Sequence, residues 1–159
     1  MTVVDHGCQI CSVEGAEPER VVFRDELWAA EVVPGYEVSG WFILRARRHA
    51  ERMAGLSDGE LSTFAFRARD LISAVTSVTG APTTYLLMFG ENYPHFHVLI
   101  AARGDDVEAD RRTGDILKLR LERTDLPSSL SLVPLVKAAY ERITYGPTGA
   151  ISPLEDSRN

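Results

Sequence analysis

Cysteine and histidine are scarce in this 159-residue chain, which has two of the first and four of the second. Two cysteines three positions apart cannot staple a domain of this size, so a disulfide framework is excluded. No apolar run approaches the roughly 20 residues of a membrane span. Positive charge is also in deficit, with 17 Lys and Arg against 23 Asp and Glu and a formal net charge of −6. That excludes a surface built to coat nucleic acid but leaves room for a local phosphate pocket. Met1 to Gly7 lacks a basic start followed by an apolar stretch, so no secretion leader is expected and the cytoplasm is the expected compartment. Internal repeats and signs of a second domain are lacking as well. What remains, 45% hydrophobic and 25% charged residues, is the profile of one soluble globular domain with a real core.

Val21-Val22-Phe23 and Leu27 to Val33 read as short strands separated by a turn at Arg24-Asp25-Glu26, with Pro34-Gly35 ending the second. Gly40 to Leu44 is a third strand and runs into the basic stretch Arg45-Ala46-Arg47-Arg48-His49. That stretch is either a solvated face or a support for phosphate or metal. Ser57-Asp58-Gly59-Glu60 is a capping-box pattern. The helix it opens carries Leu61, Phe64, Ala68, Leu71, Ile72, Val75 and Val78 on one stripe and stops at Gly80-Ala81-Pro82. Thr84 to Phe89 and the segment around His95 and His97 read as two strands of an antiparallel hairpin. Ile116 to Leu121 alternates like another strand, and Leu132 to Ile143 forms a helix with Pro134 in its first turn. The fold class is therefore α+β, with residues 1–145 as one domain and residues 146–159 as a loose tail.

The chemistry concentrates in two places. In Tyr93-Pro94-His95-Phe96-His97-Val98-Leu99-Ile100, Phe96, Val98 and Ile100 alternate with His95, His97 and Leu99. A strand of that period puts both imidazoles on one face. A single histidine in an apolar strand is most often a satisfied core residue, but two side by side point to function. Cys8-Gln9-Ile10-Cys11 is either half of a zinc site or a redox pair. The polar stretch from Ser12 to Pro18 suits metal better than a thioredoxin-like context. Two thiolates do not complete a tetrahedral site, so other ligands must come from elsewhere, with His6 and His49 available.

Together these features resemble the histidine triad (HIT) superfamily, whose members carry His-φ-His-φ-His-φ-φ on a late strand. The resemblance runs from about Cys8 to Arg103 and implies an antiparallel meander packed with one long helix and a C-terminal helix. In the preferred register Tyr93 takes the place of the first histidine, His95 the middle one and His97 the last. The alternative register has His95 first, His97 middle and Leu99 last. It is set aside because the run from Val98 to Arg103 resembles the family's segment after its third histidine.

The resemblance then implies that His95 attacks the α-phosphorus of a nucleotide and that His97 steadies the phosphate. Glu31, in Glu31-Val32-Val33-Pro34, matches the family's ribose-binding Asp-x-x-Pro. Asn92 and Tyr93 fall in the substrate region. Cys8, Cys11 and His49 match three ligands of the structural zinc of some members, the fourth being left to water, His6 or nothing. The implied partners are a nucleotide or phosphate-containing small molecule and a second copy of the chain in a homodimer. No membrane or nucleic-acid partner is implied.

Three further readings stay open. One is a divergent enzyme of this fold acting on a non-standard substrate. Another is a non-catalytic, zinc-stabilised nucleotide-binding module. A β-barrel oxygenase using His-x-His is set low, because no histidine comes after His97.

Overall fold

A computed structural model describes residues 7–146. The expected tail from 147 onward and His6 lie outside the described residues. The sheet has five strands, β1 (Val21–Arg24), β2 (Trp28–Glu31), β3 (Trp41–Ala46), β4 (Thr83–Leu87) and β5 (His97–Arg103). Every pairing is antiparallel. The order is β1-β2-β3-β5-β4, so β5 lies between β3 and β4 and a plain meander is broken at its last step. The β1–β2 turn is fixed by Asp25, whose carboxylate accepts from the N–H groups of Leu27 and Trp28 at 2.9 and 2.8 Å.

Four helices accompany the sheet: α1 (Gln9–Ser12), α2 (Asp58–Thr79), α3 (Leu119–Glu122) and α4 (Leu126–Tyr145). Helix α2 begins with the expected capping box: the Ser57 hydroxyl accepts from the Glu60 N–H, and the Glu60 carboxylate accepts from the Ser57 N–H. It ends at Gly80, left-handed with φ 65°, a conformation open to glycine at little cost. Its stripe buries Ala68, Leu71, Ala74 and Val75 against the sheet and α4, while Leu61 stays exposed.

Both faces of the sheet are covered. Phe42, Leu44, Phe96, Val98 and Ile100 pack with α2 and α4. Trp41, Ile43, Leu99 and Ala101 pack on the other side with Val13, Val33, Ile116 and Leu119. All six residues of β3 are consequently buried, a central strand roofed on both sides.

Two expected elements differ. Residues Thr113–Lys118 form a 3-10 helix leading into α3, not a strand. Ile116 and Leu119, three apart, are the buried pair, while Leu121 is 88% exposed, which is helical rather than strand spacing. Helix α4 starts six residues earlier than Leu132, because Asp125 accepts from the Ser128 N–H as N-cap and Pro127 supports the first turn. Pro134 therefore sits inside the helix, where a missing N–H and the ring clash cost about 3 kcal/mol. Burial of Val133, Val136, Ala139 and Tyr140 offsets that cost.

Candidate functional site

The metal-type residues meet at the end of the sheet where β3 leaves and β5 enters. Helix α1 is one turn long and starts at Cys8, whose sulfur accepts from the Cys11 N–H at 3.4 Å. This turn brings both thiols of the C-x-x-C to one side. Beyond the β3–β5 ladder, the Phe96 N–H donates to the Ala50 carbonyl and the Ala46 N–H to the Phe96 carbonyl. The chain carrying His49 is thereby stitched to the chain carrying His95. The two rings meet edge to face, with centroids 5.2 Å apart.

One ligand atom each of Cys8, Cys11, His49 and His95 lies within 4.8 Å of all the others. His95 Nδ1 is 3.6 Å from Cys8 Sγ and 3.3 Å from Cys11 Sγ, and His49 Nδ1 is 3.4 Å from Cys11 Sγ. A tetrahedron with Zn–S about 2.3 Å and Zn–N about 2.1 Å has S···N edges of roughly 3.6 Å, so the donor set and spacing fit a zinc ion. The groups behind the ligands agree. His95 Nε2 lies 2.7 Å from the Ala46 carbonyl, which can only accept; the proton is therefore on Nε2, and Nδ1 is bare toward the sulfurs. Burial pushes the pKa of His95 down to about 4; the Ala46 hydrogen bond opposes this, and Arg45 adds to it.

Thus Cys8, Cys11 and His49 come together, and the fourth member is His95, which the preferred register gave to catalysis. The geometry instead puts His95 where the register set aside has the first histidine. His97, two residues on and first in β5, then falls in the middle place and Leu99 in the third. Both imidazoles border one cavity, but their partners differ. His95 lies before the strand, fully buried among the thiols, while His97 is half-buried and lines two cavities.

His97 is held by a 2.6 Å hydrogen bond from Nδ1–H to the His95 carbonyl, so its Nε2 is the bare nitrogen. Burial also lowers its pKa, against that hydrogen bond. One cavity beside it is a slot of about 190 Å³, with apolar walls and two tyrosines, Tyr36 and Tyr93. The Tyr93 ring stands edge-on to that of His97, with centroids 6.4 Å apart. The other is an open groove of about 460 Å³ bordered by Arg52, Met53, Phe89 and Glu91. Asn92 is exposed and lines neither.

Glu31 is turned into the protein and engaged by arginines. It is fully buried, with Oε1 accepting from Arg24 at 3.1 Å and from Arg45 at 2.8 Å, and Oε2 from Arg45 at 3.0 Å. Arg45 faces His97 directly across the β3–β5 ladder and is itself fully buried. It also donates to Glu14 at 2.8 Å, and Arg47 Nε reaches the same carboxylate at 3.0 Å. Arg24 donates to the Val13 carbonyl. Three arginines therefore fasten the segment behind the thiols to the sheet. Glu14 had no distinctive sequence signal, Arg45 only the basic run, and Glu31 was marked for a ligand and not for this cluster, but the metal role of His95 was available in the alternative register.

No family model matches the chain, and no curated protein does. Solved structures do. A hypothetical histidine triad nucleotide-binding protein from Sulfolobus tokodaii superposes with a TM-score of 0.68 at 19% identity, over 90% of this chain and 99% of that one. A zinc-bound histidine triad family protein from Mycobacterium smegmatis gives 0.63 at 17%, over 86% and 94%. A uridylyltransferase gives 0.61 at 24%, with 86% of this chain covering 46% of that one. The fold of this chain is that of the histidine triad proteins.

Proposed function

We propose that the chain is a HIT-type hydrolase or transferase acting at the α-phosphate of a nucleoside phosphoramidate or dinucleoside polyphosphate, with His97 as the nucleophile. The observation that carries this is the hydrogen bond from His97 Nδ1–H to the His95 carbonyl. It fixes the tautomer and leaves Nε2 with a lone pair, on a ring that lines two cavities. Nε2 attacks phosphorus, and a P–N bond forms as the bond to the leaving group breaks. The leaving group departs with the electron pair and takes a proton from solvent. Water then attacks phosphorus, the P–N bond breaks, and the nucleoside monophosphate leaves as neutral His97 is restored. Arg52, in the groove, meets the phosphate oxygens that a third histidine would otherwise contact, since Leu99 is buried in the core.

Cys8, Cys11, His49 and His95 hold a structural zinc ion in this reading. The ion cross-links the thiol turn to the start of β5 and so fixes the carbonyl that orients His97. A homodimer is part of the proposal, supported by apolar side chains bared on and just after the edge strand β4: Leu86, Met88 and Phe89 are 42%, 52% and 66% exposed. A reducing compartment such as the cytoplasm suits a site that uses two thiolates as metal ligands. Among the described residues no helix is long and apolar enough to cross a membrane.

The test is incubation with an adenosine phosphoramidate labelled at the α-phosphate, then assay of acid-labile label on protein. Label is expected in wild type and lost by at least 100-fold in His97→Ala. Absence of label and of turnover in wild type would leave a non-catalytic binding module as the better description. The burial of Leu99 and Glu31 favours a second reading within the same fold, a substrate other than the common ribonucleotides.

A further inference from the structure

His97 lines both the slot and the groove, which differ in kind. At about 190 Å³ the slot is smaller than the roughly 300 Å³ at which cavities for whole drug-sized ligands begin, so it holds one ring system and not a complete nucleoside. Ile10, Val13, Val33 and Ile43 give it apolar walls, and Tyr36 and Tyr93 add aromatic ones. Tyr36 is braced from outside: the Arg120 guanidinium lies 4.2 Å from its ring centroid and also bonds its hydroxyl. Such walls suit a flat, uncharged ring. Among the described residues no carboxylate lines the slot. The acidic residue nearest in sequence to its Val33-Pro34 wall, Glu31, is fully buried with both oxygens taken by arginines. Freeing that carboxylate for a sugar would cost the fully buried Arg45 both of its bonds to Glu31 and leave it Glu14 alone, which is strongly unfavourable. A cis-diol at the mouth of the slot therefore meets no carboxylate from the slot wall or from Glu31. The groove, with Arg52, Glu51 and Glu91, is the polar side and the place for the leaving group.

We propose that the site takes a phosphoester or phosphoramidate bearing one planar ring, bound by that ring in the Tyr36–Tyr93 slot, without selecting for ribose. This rests on the function proposed above and narrows its substrate. Ribonucleotides, dideoxyribonucleotides and simple aryl phosphates are all admitted. Discrimination comes from the ring, through Gln9 and Ser12 at the slot wall, and not from the sugar.

The experiment titrates the zinc-loaded chain by calorimetry with AMP, with 2′,3′-dideoxy-AMP and with phenyl phosphate. The two nucleotides are expected to bind within about three-fold of each other, phenyl phosphate to bind measurably, and Tyr36→Ala to weaken all three by ten-fold or more. A carboxylate accepting from the diol would favour AMP by roughly ten-fold or more, and that result overturns the proposal while leaving the role of His97 intact. Failure of all three to bind, with the His97 adduct still formed in the labelling test, overturns the slot assignment alone. Failure to bind with no adduct removes both. A Tyr36→Ala variant with a wild-type circular dichroism spectrum and unchanged affinities also overturns it.

Discussion

Arg48 shows how a single side chain can serve a site without touching it. It donates through Nε and Nη2 to the two oxygens of Glu60, at 3.2 and 2.7 Å, and so fastens the residue before His49 to the first turn of α2. Burial of the Glu60 carboxyl raises its pKa, but the hydrogen bonds from Arg48 and the Ser57 N–H, with the Arg48 charge, outweigh this and hold it below the ordinary value. A depressed carboxylate contributes stability that is present above its unfolded pKa, near 4.3, and lost as pH falls through the folded value. Glu60→Gln should therefore cost about 1 kcal/mol at pH 7, with the difference from wild type closing below about pH 4. Urea unfolding across pH 3 to 7 measures this, and a gap independent of pH would contradict it. At this same scale the sequence was legible in residue type but not in role. Cys8, Cys11, His49, His95 and His97 stood out as the chemistry, yet strand periodicity could not show that His95 precedes the strand. Nor could it show that the His95 ring turns to the thiols, since that depends on Ala46 and Ala50, nearly fifty residues away in sequence.

Helix α1 is a single turn and cannot hold its own position, because isolated helices shorter than about 12 residues are marginal in water. Its placement comes from the segment just after it, where Glu14 is gripped by Arg45 and Arg47 and the Val13 carbonyl by Arg24. Glu14 is thus a positioning residue for the two thiols. Glu14→Gln is expected to weaken zinc binding about ten-fold by chelator competition, with Glu14→Asp partly restoring it and the folded circular dichroism spectrum retained. Equal zinc affinity in wild type and Glu14→Gln would refute the clamp. Cys8→Ser should leave less than a tenth of the zinc found in wild type by elemental analysis, where about one ion per chain is expected. Helix α2 was readable because its signals are local: the Ser57–Glu60 box and Gly80 bracket it by capping chemistry alone. Residues Ile116 to Leu121 misled because their apolar side chains satisfy a period of two in sequence while only Ile116 and Leu119 find the core.

For the whole molecule, the thiol turn, the stretch after β3 and the start of β5 converge on one end of the sheet, and His97 is the residue common to both cavities there. The α+β class and the antiparallel sheet were legible from strand and helix punctuation. The order β3-β5-β4 was not, since nothing local reports which strand enters a sheet between two others. That order leaves β4 at an edge with apolar side chains bared. Light scattering in solution should accordingly give twice the 17.6 kDa chain mass, and Leu86→Glu should halve it with the fold retained. A monomeric wild type at tens of micromolar would contradict the proposed homodimer. The division of labour between the two histidines is tested most directly by trapping the labelled protein and locating the adduct by peptide mass spectrometry. The nucleotidyl group is expected on His97, with zinc retained in the same sample. An adduct on His95 would contradict the assignment of metal binding to one imidazole and chemistry to the other.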